Sequence, residues 1–297
     1  MNKMSYLLLL RRWWCFLLAA GIVFFFAGTG VAYVLQGPHI LELAVKNMVE
    51  PAGLVVQQQK TVLKNVQSGD FPGKMAPFPD PDDDPDILSA DVFGNTFEGV
   101  KDSSKDKNAQ IFNLKETLWL SYPGRLRCEG QSGRGPILTV FSDTRFVKVV
   151  DNKIAADRPS VEEYYMDILR LRDRNALSKR LADNGVDVNT SSLQRFRDKI
   201  CYVVGSICPG KEPVSSLWVD KDTFFPVRYI VRTNQNLVEI IYENWHRVSR
   251  TWYPMDIKVS LNKVPCFLID VESFRLEADF PLGFFDIDRI YKRSSAD

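Results

Sequence analysis

The stretch Leu118–Gly130, LWLSYPGRLRCEG, reads as a β-strand interrupted at its centre by Pro123-Gly124. Proline cannot donate to a sheet ladder and glycine weakens one, so the break needs a reason. Before it, Leu118, Leu120 and Tyr122 share one face. After it, Leu126 and Cys128 alternate with Arg125, Arg127 and Glu129. Because 122 and 126 have the same parity, a simple kink keeps one continuous apolar face. The expected element is a single bent strand that lines something apolar.

Working outward, the C-terminal third repeats the same one-sided pattern. Val227, Tyr229 and Val231 oppose Arg228 and Arg232; Val238, Ile240 and Tyr242 oppose Glu239 and Glu243; Ile257 and Val259 oppose Asp256, Lys258 and Ser260. One wet and one apolar face per strand predicts an open antiparallel sheet. Helices are expected in three places. HILELAVKNMVE sets Ile40, Leu41, Ala44, Val45 and Met48 on one face. Ser160 and Glu163 form the Ser-x-x-Glu capping signature ahead of Val161, Tyr164, Tyr165 and Ile168. NALSKRLADNG ends naturally at Gly185.

At the N-terminus, Lys3, Arg11 and Arg12 precede an uncharged run from Trp13 to Leu35. Positive charge before such a run keeps the N-terminus in the cytoplasm and exports what comes after it. Gly30-Val31-Ala32 offers small residues to a signal peptidase, while a helical run of this length would extend about 35 Å and span a bilayer. Cleaved signal and uncleaved anchor both stand. Cys15 lacks the small residues of a lipobox. Between Gln67 and Asn108, FPGKMAPFPDPDDDPD and KDSSKDKN predict a solvated excursion without regular structure.

Chemistry is sparse. Net charge is +1, with no basic stripe, so no nucleic-acid partner is expected. The two histidines, His39 and His246, sit at no metal-ligand spacing, and His246 falls in the polar turn ENWHRVSRTW. There is no phosphate loop and no CxxC pair. Cys128, Cys201, Cys208 and Cys266 allow two disulfides in three connectivities, or buried free thiols. No enzyme, metal or cofactor is expected.

LWLSYPGRLRCEG, then FSDTRFVKVVDN, LWVDKDTFFPVRYIV and the closing FRLEADFPLGFFDI resemble, in order and spacing, the periplasmic lipoprotein-carrier superfamily of LolA with its LolB- and RseB-like relatives. That family has an LW-x-x-x-P strand, an SDG hairpin, a later D-x-x-x-x-x-P hairpin and a terminal strand leading to a Phe. The likeness runs from about Ile40 to Ile290. It implies an α+β fold: an unclosed, strongly curved antiparallel half-barrel with helices over its concave face. It also implies an apolar cavity for acyl chains, with Leu118, Leu120, Tyr122, Leu126 and Cys128 facing in and Arg125 and Arg127 out. LolA carries an arginine immediately before the proline, bonded to its lid helices; Tyr122 stands here, and a phenol cannot reproduce that fork.

The expected organisation is therefore a leader at 1–36, a half-barrel domain at 37–293 with the excursion at 67–108, and a tail at 294–297. The expected site is Leu118, Leu120, Tyr122, Leu126, Cys128, Val227, Tyr229, Val238, Ile240, Tyr242, Ile257 and Val259. The expected role is that of a monomeric periplasmic carrier of lipoprotein or lipid acyl chains between membrane donor and acceptor proteins, toward the outer membrane. A membrane-tethered sensor module that binds a lipid or a regulatory protein is the second reading. An exported thiol enzyme is the third. The same apolar positions also suit an ordinary core.

Overall fold

The computed structural model describes residues 34–48, 52–63, 111–133, 135–206, 213–233 and 235–294. Nearly all of the expected leader, the excursion at 67–108 and Cys208 lie outside them. The chain divides into two compact units, Met1–Val34 and Leu35–Asp297. The second unit carries the sheet.

Its strands are β1 (Gly53–Leu63), β2 (Ile111–Ser121), β3 (Arg125–Ser132), β4 (Gly135–Ser142), β5 (Arg145–Val150) and β6 (Lys153–Ala156). After the helices come β7 (Ser191–Phe196), β8 (Lys199–Val204), β9 (Ser216–Asp220), β10 (Pro226–Arg232), β11 (Leu237–Val248), β12 (Thr251–Leu261) and β13 (Val264–Glu277). They form one antiparallel sheet of 13 strands in the order β6-β5-β4-β3-β2-β1-β13-β12-β11-β10-β9-β8-β7. β6 and β7 are its two edges, so the barrel is unclosed, a half-barrel. Helix α1 (Gly37–Asn47) precedes β1; α2 (Tyr164–Arg170) and α3 (Arg174–Asp183) follow β6; α4 (Ile287–Ser294) follows β13.

This order explains where the helices lie. The chain leaves the sheet at one edge and re-enters at the other, so the connection between them crosses the concave face. α2 and α3 are that connection. Ser160 and Glu163 form the predicted capping box: the Glu163 carboxylate accepts from the Ser160 N–H at 2.7 Å, satisfying a helix-start donor. Gly185, at φ +81°, ends α3 in a conformation that a side chain would strain.

Leu118–Gly130 is not one bent strand. β2 and β3 are the two arms of a hairpin about Tyr122–Gly124, pairing Leu118 with Cys128 and Leu120 with Leu126. Directly opposed residues of an antiparallel pair share a face. A reversal centred on 123 therefore preserves parity as well as a kink does, and alternation alone cannot tell them apart. A second correction concerns His246. It lies within β11, opposite Tyr253, because β11 continues beyond Asn244, whose positive φ of 53° marks an irregularity. The reversal comes at Ser249-Arg250.

Both sheet faces are packed. On the concave side, Ile40, Leu41, Ala44, Tyr165, Ile168, Leu169, Leu177 and Leu181 of the helices are fully buried. On the convex side a second core joins Val140, Val147 and Val149 to Phe285, Ile287 and Ile290 around α4.

Candidate acyl-chain site beneath the helices

Eleven of the twelve expected site residues lie in the concave core at 5 % exposure or less, from Leu118 and Leu120 to Ile257 and Val259. Tyr122 is half-buried. Register shows that they share a face. Leu120 opposes Leu126 on β3; Tyr229 opposes Ile240, which opposes Val259; Tyr242 opposes Ile257. The two groups are joined by residues that the sequence pattern did not single out. Leu54 and Val56 of β1 oppose Leu120 and Leu118, and Ile269 of β13 opposes Ile257. β1 continues that face into Gln58 and Lys60, two buried polar residues that look wet in a sequence.

In this structure the strip is covered directly by the helices, and polar clasps fix them there. The Tyr242 hydroxyl donates to the Tyr165 carbonyl at 3.0 Å, and Gln58 Nε2 donates to Tyr165 Oη at 3.1 Å. Asn184 Nδ2 donates to Tyr229 Oη at 2.7 Å. At the β2–β3 turn, Arg170 Nη1 donates to the Gly124 carbonyl at 3.1 Å, and the Arg172 N–H donates to the Pro123 carbonyl at 3.2 Å. Asp167, fully buried, accepts from Arg170 at 3.1 Å and Arg180 at 2.8 Å, tying α2 to α3.

The start of this helical connection is held by a second ionic group. Lys148 of β5 reaches Glu162 at 2.7 Å and Glu163 at 2.9 Å, and Lys60 lies 3.8 Å from Glu162. Burial opposes ionisation of Glu162, but Lys60 and Lys148 outweigh it and hold the carboxyl below its ordinary value. Lys148 is likewise opposed by burial and carried upward by Glu163 and Glu162.

These clasps were not anticipated from the sequence. The signal was present in Leu169-Arg170-Leu171-Arg172, where charge alternates with leucine in a segment otherwise helical and apolar. Charged residues are almost never fully buried unless paired, and Arg170 follows that rule.

Burial, first of all causes, pushes the Tyr165, Tyr229, Tyr242 and Cys128 groups up, so they stay protonated near neutral pH. Burial and then Asp220 push the Cys201 thiol up to about 11. Cys128, Cys201 and Cys266 are free and buried. Among the described residues no His, Cys, Asp and Glu side chains gather as a metal site, and no helix is long and apolar enough to cross a membrane.

A cavity of about 620 Å³ lies on the far side of the β2–β3 turn, between it and the segment from Ala278 to Asp288. Of the expected site residues only Tyr122 borders it; Arg125, Arg145, Phe280 and Phe284 are among its other walls.

No family model matches the sequence, and no curated protein does. Solved structures do resemble it. A LolA superfamily protein from Nitrosomonas europaea is 14 % identical, with a TM-score of 0.44 over 86 % of this chain and 100 % of that one. An outer membrane lipoprotein-sorting protein domain from Vibrio parahaemolyticus is 10 % identical, with a TM-score of 0.47 over 84 % of this chain and 97 % of that one. A DUF1329 family protein from Desulfovibrio piger is 11 % identical, with a TM-score of 0.40 over 86 % and 97 %.

Proposed function

We propose that this protein is a non-enzymatic carrier that holds the acyl chains of a lipoprotein or lipid against the concave face of its half-barrel. The observation behind this reading is one apolar strip running across β3, β2, β1, β13, β12, β11 and β10, under helices attached by discrete polar clasps. Lifting α2 and α3 breaks a countable set of hydrogen bonds and uncovers a surface suited to a fatty chain. Each methylene placed there contributes about 0.8 kcal/mol toward offsetting the opening. The structure here is the helix-closed form, and the loaded form is its opened counterpart.

The basic residues before the Trp13–Leu35 run support export, and with it work in the periplasm and transfer toward the outer membrane. Mass spectrometry of an organic extract from the purified protein tests the reading. Acyl species are expected at near-stoichiometric amounts. Their absence, together with no uptake of an added neutral acyl probe such as Nile red, refutes it.

A further inference from the structure

Arg172 follows α2 and is only 4 % exposed, yet Nε, Nη1 and Nη2 all lack a hydrogen-bond partner. Its guanidinium lies over the Tyr122 ring, 5.3 Å from the centroid. The hydroxyl of Tyr122 is also buried and without a partner. So is that of Tyr253, on a side chain with no exposure at all. Tyr253 feels both of the others: burial first, then the Tyr122 phenol, push it up, and the Arg172 charge opposes them.

What this spot lacks is an anion. A guanidinium donates through five N–H groups, accepts nothing, and does not give up its proton. Ring contact with Tyr122 compensates a buried cation only in part. Glu116, the carboxylate felt by Tyr253, is already engaged by Gln58 at 2.7 Å. Arg170, two residues earlier, shows how the same helix end treats a cation that is structural: it meets Asp167 and the Gly124 carbonyl.

We infer that Arg172, with the Tyr122 and Tyr253 hydroxyls, forms an oxyanion subsite that receives the carboxylate or phosphate of an anionic amphiphile. This rests on the acyl-chain reading and names the charged end of its ligand. The fork geometry of arginine matches a two-oxygen anion, and the two phenols add donors beside it. Tyr122 links this spot to the wall of the 620 Å³ cavity, and its ring lies against the Arg172 guanidinium.

The test compares oleate, methyl oleate and inorganic phosphate on the full-length protein, R172M and R172K. Nile red displacement reads the first two and the thermal midpoint reads phosphate. Wild type is expected to bind oleate at least about tenfold tighter than methyl oleate, the scale of a charge-assisted hydrogen bond. R172M should erase that preference and keep methyl oleate binding, with R172K between. Because R172M removes an unpaired buried charge, its thermal midpoint without ligand should equal or exceed that of wild type. A marked fall instead makes Arg172 a structural residue. Equal binding of oleate and methyl oleate by wild type overturns the subsite and leaves the carrier reading standing. Phosphate stabilisation that depends on Arg172, with neither oleate form bound, supports the anion site and overturns the acyl-chain reading. No response to any of the three overturns both.

Discussion

On the concave face of the sheet Asp167 is sealed between Arg170 and Arg180; on the convex face Arg145 and Asp288 meet in the open, with side chains 52 % and 66 % exposed. The first ties α2 to α3 and the second ties α4 to β5, and both have good geometry. They differ in what water does. In solvent an ion pair is screened and each partner is hydrated when it separates. Under α2 and α3 neither holds, so the pair is costly to form and far costlier to break on one side. Two helices joined by buried charge therefore hold together as one layer. α4, held by aromatic and aliphatic packing with one surface pair, depends on no such charge.

The sharpest way to break the comparison is Asp167→Ala. It strands two arginines against α2 and α3, and the expected loss is about 3–5 kcal/mol, read from urea denaturation. A loss below about 1 kcal/mol would mean that water already reaches the layer, and the two faces would be alike. Leu120→Ala comes next. Leu120 is fully buried in the strip, and truncation should cost about 2–5 kcal/mol while leaving the far-ultraviolet circular dichroism spectrum of the folded state unchanged. Binding of an acyl ligand to Leu120→Ala should restore much of that loss, since the chain fills the space; no convex-core truncation should respond to such a ligand.

How far the sequence went can be judged on these same residues. The concave strip was legible because a strand face is written directly in alternation, and the capping box of Ser160 and Glu163 is a local signal. The β2–β3 hairpin was not, since opposed residues across a reversal carry the same parity as residues along a kink. Arg170 and Asp167 were hidden because pairing is a tertiary fact: only the fold places Gly124 and Arg180 beside them. The convex cavity was hidden for a related reason. Its walls join β2, β3 and β5 to Ala278–Asp288, more than a hundred residues away along the chain.

A third prediction concerns charge. The Glu162 carboxyl has a folded value below its ordinary 4.5. A depressed acid contributes stability that is present above the unfolded value and is lost as pH falls through the folded one. Midpoint denaturant concentration should therefore hold steady above about pH 5 and drop as the solution is taken below about 4.5. Lys148→Met should flatten that drop, because it removes one of the two cations that hold the carboxyl ionised. A fourth concerns thiols. Cys128, Cys201 and Cys266 are buried, with Cys128 and Cys201 protonated at neutral pH, so maleimide labelling of these three should be negligible in the folded protein and complete in denaturant. An added acyl ligand that lifts the helices should raise labelling of Cys128, which faces the strip, before Cys201 on β8.

The smallest effect is expected at Arg145→Ala. The pair with Asp288 is bidentate, at 2.7 and 3.0 Å, and raises Arg145 while lowering Asp288. Geometry alone would rank it with Asp167. Exposure reverses that ranking, because both groups regain full hydration when they part and added salt screens what remains. α4 stays in place through Phe285, Ile287 and Ile290 against Val140, Val147 and Val149, contacts that the substitution leaves untouched. Urea midpoints of wild type and Arg145→Ala should thus converge as ionic strength rises from low to physiological, whereas the gap opened by Asp167→Ala should persist. Persistence in both would show that charge, rather than its burial, governs how helices are held on this sheet.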